Sequence, residues 1–249
     1  MLKNEREQEV LAILQSTGYI TVKALSQQLY TSESCVRRTL AGLAAKGQVR
    51  RSYGGVELLS SRTNVTSFGA RTHQNAAAKL SIAKKAAPLV TDGSIVFLDG
   101  SSTAFYLAGQ LLHKTALTVV TNNTEILDLL SQANFTVYCS GGRLSDTNRT
   151  CLVGPDAQRS FTGIYAQYAF FSSNALSEDG VITDCTREEV AVRETILQNA
   201  QKKIFLCDSS KFNTVSVYRQ CDLTQINTLI SEDTCARQFA SRFPGLEVL

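Results

Sequence analysis

The sequence predicts a small three-helix domain with a β-hairpin, followed by an α/β domain with a mostly parallel sheet. Apolar residues recur at helical spacing before Gly47, whereas short apolar strands alternate with helices from about Ala76 onward. Charge follows the same division: residues 1–58 hold eight Lys/Arg and five Asp/Glu, and residues 59–249 hold 17 of each. The net charge of +3 therefore lies entirely in the first quarter of the chain.

The composition indicates an ordinary globular protein, with 43% hydrophobic and 19% charged residues. No apolar run is long enough to span a membrane, and the polar start "MLKNEREQEV" is unlike a signal peptide. The seven cysteines are scattered without a C-x-x-C pair, and His73 and His113 are the two histidines. We therefore expect reduced thiols in a cytoplasmic protein that has no metal site and no cofactor.

The first domain, residues 1–58, reads as three helices and a hairpin. The first helix covers about 3–16, the second begins after a Thr21 N-cap, and the third ends at Gly47. Their apolar stripes are Val10, Leu11, Ile13 and Leu14; Val22, Leu25 and Leu29; and Val36, Leu40 and Leu43. The segment "QVRRSYGGVEL" then predicts two strands joined at Gly54-Gly55. Two helices joined by a tight turn and followed by a hairpin form a winged helix-turn-helix.

The outer face of the third helix is suited to a DNA groove. Ser34, Arg38, Ala41 and Ala45 fall opposite the apolar stripe, with Arg37 at the flank. We predict that Ser34, Arg38 and Arg37 reach base edges, that Arg50 and Arg51 bind phosphates, and that Ser32 joins this surface. The alternative is a set of solvated arginines. Two Arg-Arg steps, within a three-helix-plus-hairpin pattern that carries all the net charge, favour double-stranded DNA.

Residues 59–75 are predicted to be a linker, and residues 76–249 a ligand-binding α/β domain. The linker is rich in Ser, Thr, Asn and Ala, and we expect Phe68 and Arg71 to dock it on the second domain. Strand–helix alternation with solidly apolar strands predicts a mostly parallel sheet that is covered on both faces. The predicted strands are "SIVFLDG", "ALTVVTNN", "FTVYCSGG", "YAFFSSN", "KIFLCDSS" and "TLISED".

Small polar residues end four of these strands. In open α/β sheets, ligands bind at the carboxyl ends of the strands. The loop after the first strand offers free backbone N–H groups, hydroxyls and a helix N-terminus, which together suit a phosphate or another anion. Each loop alone has a local explanation as an N-cap or a turn, but four on one edge predict a pocket. The candidate residues are Asp99, Gly100, Ser101, Ser102, Thr103, Asn122, Asn123, Gly141, Gly142, Asp208 and Lys211.

The segment "TSESCVRRTLAGLAAKGQVRRSYGG" resembles the head of DeoR-type bacterial repressors, whose usual pattern is V-S-x-x-T-(I/V)-R-R-D-L…L…G…R-x-x-G-G. This chain has Cys35, Thr39 and Tyr53 where Thr, Asp and His are usual. "FLDGSST", "VVTNN", "SGGRL", "LVGPDA" and "DSSKFN" follow the family's second domain in order. The family's first loop is usually Asp-Ser-Gly-Thr-Thr, so Gly and Ser are exchanged here.

The resemblance implies a second domain similar in fold to ribose-5-phosphate isomerase. It also implies a repressor of sugar-metabolism genes that binds an operator as a dimer or tetramer and responds to a phosphorylated sugar. Two alternatives stay open: a sugar-phosphate isomerase with a DNA-binding appendage, and a structural DNA-associated protein without a ligand. Asp99, Asp208 and Lys211 are suitable residue types for isomerisation, but no Gly-rich acidic catalytic segment is visible. The sequence therefore favours the regulator.

Overall fold

The computed structural model describes residues 3–17, 19–46, 48–52, 55–58 and 68–249. The chain divides into two compact units, Met1–Asn64 and Val65–Leu249, which we call the head and the body. In this described part of the chain, no helix is both long enough and apolar enough to cross a membrane.

The head contains three helices and a three-stranded antiparallel sheet. The helices are α1 (Lys3–Thr17), α2 (Val22–Gln28) and α3 (Glu33–Ala45), and the strands are β1 (Tyr19–Thr21), β2 (Val49–Ser52) and β3 (Gly55–Leu58). The sheet order is β1-β3-β2. The predicted Thr21 cap is confirmed, because its Oγ1 accepts from Ala24 N at 3.1 Å. Ser32 caps α3 by accepting from Cys35 N at 3.3 Å.

The head's core confirms the predicted apolar stripes. Val10, Leu14, Leu25, Val36, Leu40 and Leu43 are almost fully buried together. The short strand β1 was not predicted; it pairs with β3 and extends the hairpin into a three-stranded sheet. Gly47 and Gly54, which we predicted to stop α3 and to turn the hairpin, lie outside the described residues.

The body alternates strands and helices, as predicted. Its helices are α4 (Phe68–His73), α5 (Ala76–Ala86), α6 (Ser102–Leu111), α7 (Thr124–Leu130), α8 (Pro155–Phe161), α9 (Arg187–Gln198) and α10 (Arg237–Arg242). Its strands are β4 (Ile95–Leu98), β5 (Thr118–Thr121), β6 (Thr136–Cys139), β7 (Arg143–Leu144), β8 (Leu152–Val153), β9 (Ala166–Phe171), β10 (Ala175–Leu176), β11 (Val181–Asp184), β12 (Ala200–Leu206), β13 (Tyr218–Asp222), β14 (Thr228–Ile230) and β15 (Glu247–Val248).

A seven-stranded parallel sheet forms the centre of the body, in the order β15-β14-β12-β9-β4-β5-β6. Side chains alternate between its two faces, so Phe97 packs in one hydrophobic core and Val96 and Leu98 pack in the other. In the same way, Phe171 packs in the core that contains Phe97, and Phe170 packs in the other core. Burial on both faces explains why the strands are continuously apolar and confirms the predicted fold class.

The strand order reverses direction between β4 and β9, and we call this point the split of the sheet. From β4 the chain builds β5 and β6 on one side, and then crosses to β9 on the other. Open α/β sheets bind ligands outside the carboxyl ends of the strands at such a split. A hairpin of β7 and β8 begins just after β6, and an antiparallel sheet of β10, β11 and β13 begins just after β9. Neither was predicted: β7, β8 and β10 have two residues each, too few for a periodic signal, and β11 and β13 are short mixed segments without a continuous apolar run.

Candidate DNA interface and candidate effector site

Helix α3 presents the predicted face to solvent. Ser34, Arg38, Ala41 and Ala45 are exposed, whereas Val36, Leu40 and Leu43 are buried. Arg37 is also exposed and forms an ion pair with Glu33, 3.2 Å from Nη2 to Oε2. Arg38 has no such carboxylate partner among the described residues. Within the described part of the head, Arg37 is thus the member of this pair that is held by a carboxylate, and the contact of Arg38 with DNA stays a prediction.

The other predicted DNA contacts lie beside this helix in the sequence. The side chain of Ser32 caps α3, and its Oγ lies 3.0 Å from Ser34 Oγ. Arg50 and Arg51 are on strand β2, where they pair with Glu57 and Val56 of β3. The side chains of Arg50 and Arg51 lie outside the described part of the chain, so their phosphate contacts stay a prediction.

In the body, Asp99 is the centre of a buried ionic network. Its Oδ2 accepts from Arg193 Nε at 3.0 Å and from Ser172 N at 3.3 Å. Its Oδ1 accepts from Ser101 N and Oγ. Arg193 also donates to Asp184 Oδ2 at 2.9 Å. Burial alone would raise the pKa of Asp184, but Arg193 and a hydrogen bond from Cys185 bring it below its usual value.

The N-terminus of α6 is ordered by this network and carries an unpartnered hydroxyl. Ser101 caps the helix by accepting from Ala104 N at 3.1 Å. Thr103 is 1% exposed, and its Oγ1 has no hydrogen-bond partner among the described residues. The first amides of a helix also lack intrahelical acceptors. This loop therefore presents unused donors at the positive end of a helix dipole.

Two further unpartnered atoms follow the next strands, β5 and β6. Asn122 donates to Leu152 O at 3.0 Å, but its Oδ1 is buried without a partner in the described structure, as is Ser140 Oγ. Asn123, in contrast, is used by the fold: it caps α7 through Glu125 N and Ile126 N. The unpartnered side-chain oxygens of Thr103, Asn122 and Ser140 thus form a row, because these residues follow the adjacent strands β4, β5 and β6. Buried polar atoms are normally paired, so this row is suited to a polar ligand.

The predicted glycines after β6 have structural uses. Gly142 has a φ of +106°, and a Cβ there would lie 2.5 Å from Val153 O. Gly141 donates its backbone N–H to Ser160 Oγ at 3.0 Å. These glycines shape the loop that contains Ser140.

The loop after β12 brings a lysine to the split of the sheet. Lys211 Nζ donates to Ser172 Oγ at 2.7 Å and lies 3.5 Å from Asp208 Oδ2. Asp208 Oδ1 accepts from Asn75 Nδ2 at 3.1 Å. Burial favours the neutral form of Asp208, but Lys211 and the hydrogen bonds from Ser210 and Asn75 lower its pKa. Asp208 is therefore ionised and positions its neighbours.

Two cations that we did not predict as site residues join Lys211. Lys79 is 4% exposed and donates to the carbonyl oxygens of Gln74 and Arg71. Burial, and then the positive charges of Lys211 and Arg71, lower the pKa of Lys79 to about 8, against the opposing effect of Asp208. Arg71 has buried Nε and Nη2 atoms that have no partner among the described residues. We call Arg71, Lys79 and Lys211 the cationic cluster.

A buried carboxylate and a buried thiol lie behind the α6 loop. Burial, and then Asp184, raise the pKa of Glu189, against the lowering effects of Arg193 and Arg71; Asn148 Nδ2 lies 3.5 Å from its Oε2. The pKa of the Cys151 thiol is also raised, chiefly by burial. Glu189 lines a small cavity together with Asp99, Gly100, Asn122 and Arg193.

The structure brings the predicted loops together at one edge of the sheet, beside several polar residues that the sequence did not single out. Ser140 and Ser172 end predicted strands and could have been found by the rule that selected Asn122. Lys79, Glu189 and Arg193 lie within helices, where a charged residue is usually solvated, so no local signal distinguishes them. Arg71 was assigned to docking alone.

A winged helix-turn-helix head joined to an α/β body with an open polar site is the architecture of a ligand-sensing DNA-binding regulator. The sequence matches two family models: a DeoR-like helix-turn-helix domain over residues 6–62, and a DeoR C terminal sensor domain over residues 74–233. The chain belongs to the DeoR family of transcriptional regulators.

Curated relatives align over almost the whole chain. An uncharacterized HTH-type transcriptional regulator of Escherichia coli, YgbI, is 30% identical over 94% of this chain and 91% of its own length. The L-fucose operon activator of Haemophilus influenzae is 30% identical over 92% of both chains. The lactose phosphotransferase system repressor of Lactococcus lactis is 29% identical over 98% of this chain and 96% of its own.

Solved structures show a more distant likeness. Ribose 5-phosphate isomerase A from Methanocaldococcus jannaschii superposes with a TM-score of 0.42 and 20% identity, covering 56% of this chain and 55% of that one. The delta subunit of eIF2B from Chaetomium thermophilum gives a TM-score of 0.48 and 17% identity, covering 64% and 58% of the two chains.

Proposed function

We propose that this protein regulates sugar-metabolism genes in the cytoplasm, and that a phosphorylated sugar modulates its binding to an operator. The observation that carries the proposal is the combination of the cationic cluster with the orphaned atoms of Thr103, Asn122 and Ser140. The positive charges of the cluster suit a phosphate group, and the row of uncharged side-chain oxygens suits the hydroxyl groups of a sugar. A ligand with a phosphate at one end and hydroxyls along its length complements both.

The position of the charges in the sheet supports one orientation of the ligand. Lys211 follows β12, and the N-terminus of α6 follows β4, on the two sides of β9. Asn122 and Ser140 follow β5 and β6, farther along the same edge. The phosphate therefore lies at the split, near Lys211 and α6, and the sugar extends toward β6.

An isomerase activity finds less support in these residues. Abstraction of a proton next to a carbonyl needs a carboxylate free to act as a base. Asp99 is held by Arg193, Ser101 and Ser172, and Asp208 is held by Asn75 and Lys211. We propose that the site binds its ligand without converting it. Aldose–ketose interconversion by the purified protein would contradict this.

The names of the relatives include both an operon activator and a repressor, so the direction of regulation needs its own measurement. We propose repression, with release of the operator by the effector. A homodimer or homotetramer would place two heads on symmetric half-sites. Analytical ultracentrifugation with and without operator DNA tests the assembly.

The function is tested by thermal unfolding of the full chain against glucose 6-phosphate, fructose 1-phosphate, fructose 6-phosphate and ribose 5-phosphate. Each compound is paired with its unphosphorylated sugar. A ligand at 100 times its Kd stabilises the folded state by about 2.7 kcal/mol, which is easily measured. We expect stabilisation by a phosphorylated compound and none by its free sugar. Equal shifts for both members of a pair would contradict a phosphate site.

A further inference from the structure

Arg6 of helix α1 reaches across to helix α3, whose outer face is the predicted DNA contact. Its Nη1 donates to Cys35 Sγ at 2.9 Å, and both side chains are half-buried. Because α3 begins at Glu33, this contact joins α1 to the first turn of α3. Neither Arg6 nor Cys35 was among the predicted DNA contacts.

The contact with the thiol leaves most of the hydrogen-bonding capacity of Arg6 unused. A guanidinium has five N–H donors and a permanent positive charge, whereas a thiol is a weak, uncharged acceptor. No carboxylate forms an ion pair with Arg6 among the described residues, although Arg37 is paired with Glu33 and Lys46 with Glu7 in the same head. A phosphate oxygen accepts a stronger, charge-assisted hydrogen bond. Arg6 therefore has both the charge and the donors that an anion requires.

The position of Cys35 on α3 indicates which anion this is. Cys35 follows Ser34 of the exposed face and precedes Val36 of the buried stripe. Successive helical residues are about 100° apart, so Cys35 lies on the flank of the helix between these two sides. An α-helix of about 10–12 Å diameter fills a major groove that is about 12 Å wide. The outer face then meets base edges, and the flank faces the sugar–phosphate backbone that borders the groove.

We propose that Arg6 is a further DNA contact, which binds a backbone phosphate beside the bases that the first turn of α3 contacts. Cys35 is the positioning residue: Nη1 of Arg6 stays on the sulfur, and the remaining N–H donors bind the phosphate. Such a contact carries no sequence information of its own, but it sets the register of α3 on the duplex. This inference rests on operator binding in the proposed function, and it does not depend on the effector.

The variant Arg6→Met tests the phosphate contact, because methionine keeps an unbranched apolar side chain but has neither charge nor donors. Arg6→Gln, which keeps an N–H donor for the sulfur and loses the charge, gives the same test if Arg6→Met loosens the head. The matched control is Arg219→Met, which removes the same charge from a 68% exposed arginine of the body. Amide hydrogen exchange over α1 and α3 of the full chain shows whether the head of each variant is folded.

The first readout is the salt dependence of DNA affinity. Fluorescence anisotropy gives the Kd for an operator selected in vitro from a random pool and for random DNA. Loss of Arg6 should weaken binding to both DNAs about tenfold. The slope of log affinity against log salt should become shallower by about 0.9 for each bound head. Arg219→Met should behave as the wild type.

The second readout separates positioning by Cys35 from a direct contact of Cys35 with DNA. Cys35→Ala removes the acceptor that orients Arg6, so it should weaken binding about fivefold. Cys35→Ser, which keeps an acceptor, should lose less. In an Arg6→Met background, Cys35→Ala should cause no further loss, because no guanidinium remains to be positioned.

Three results would overturn this inference and leave the proposed function intact. An unchanged salt slope in folded Arg6→Met or Arg6→Gln would exclude the phosphate contact. A loss confined to the selected operator would make Arg6 a base contact instead. Equal losses for Cys35→Ala in both backgrounds would exclude the positioning role of Cys35. A wild-type affinity that does not change with salt would refute DNA binding by the basic head, and with it both the proposed function and this inference.

Discussion

The Cys151 sulfur occupies the space that a side chain at Gly100 would need. A Cβ built on Gly100 would lie 2.0 Å from Cys151 Sγ, and the same sulfur is 3.3 Å from Gly100 O. Asn148 Nδ2 lies 2.9 Å from the sulfur, so the β7–β8 hairpin region is packed directly on the α6 loop. The glycine that replaces the family's usual serine in this loop is therefore matched by a thiol from another part of the chain.

This relationship predicts strong coupling between positions 100 and 151. Gly100→Ala should destabilise the body by roughly 1–3 kcal/mol, because the new methyl group overpacks a full core. In a Cys151→Ala background the same substitution should cost much less, with a coupling free energy of about 0.5–3 kcal/mol. Urea unfolding of the four proteins in this double-mutant cycle gives the measurement. Additive effects would show that the loop moves aside freely.

Arg193 is predicted to be a strong contributor to the stability of the body. Its side chain is 5% exposed and joins Asp99 of the α6 loop to Asp184 of β11. Arg193→Met would leave two buried carboxylates without their cation, which costs on the order of 3–5 kcal/mol. Urea unfolding measures the loss, with Arg219→Met as an exposed control that should change little. A loss below about 1 kcal/mol would indicate that water or another cation replaces Arg193.

The pKa of Lys79 predicts that effector binding depends on pH. Burial lowers this pKa to about 8, and a bound phosphate would raise it again, so binding near pH 8 should take up a proton. Affinity should therefore fall as the pH rises from 7 to 9. Calorimetry in buffers of different ionisation enthalpy measures the uptake. The variant Lys79→Met should bind more weakly and show a flatter pH profile.

Without a ligand, the contribution of Lys79 to the free energy of unfolding should rise with pH, whereas the effector affinity falls with pH. Because the pKa of Lys79 is about 8 in the folded state and that of an ordinary lysine is 10.5, the unfolded chain binds more protons between these pH values. Lys79 therefore makes the folded state more stable as the pH rises through this window. The difference in unfolding free energy between wild type and Lys79→Met isolates this contribution from those of the other titratable groups. A pH-independent difference would contradict it.

The sequence predicted the main strands of the parallel sheet, because these follow from apolar periodicity, and it predicted that polar residues gather at the carboxyl edge of that sheet. It could not distinguish Asn122, which has an unused oxygen, from Asn123, which caps α7. Nor could it show that Asp99 is held by Arg193, 94 residues away. Which polar atoms the fold uses, and which remain for a ligand, depends on tertiary contacts that leave no local pattern.

Tyr30 in the turn of the helix-turn-helix is predicted to destabilise the head. Its φ is +47° and it is 97% exposed, so an aromatic side chain adopts a left-handed conformation without burial to compensate. Tyr30→Gly should stabilise the head by about 1 kcal/mol. Slower amide exchange in α2 and α3 of the full chain would show this, with Tyr165→Ala in the body as a control. Faster exchange would mean that Tyr30 makes a stabilising contact.

We predict that Arg38 contacts base edges, whereas Arg50 and Arg51 of strand β2 bind phosphates. Arg38 is exposed on α3 without a carboxylate partner among the described residues, whereas Arg37 is paired with Glu33. Arg38→Ala should cost about 1–3 kcal/mol on the selected operator and much less on random DNA. Arg50→Ala should weaken binding to both DNAs alike and reduce the slope of log affinity against log salt by about one. Equal losses on both DNAs for Arg38→Ala would make Arg38 a phosphate contact and move sequence reading to other residues of α3.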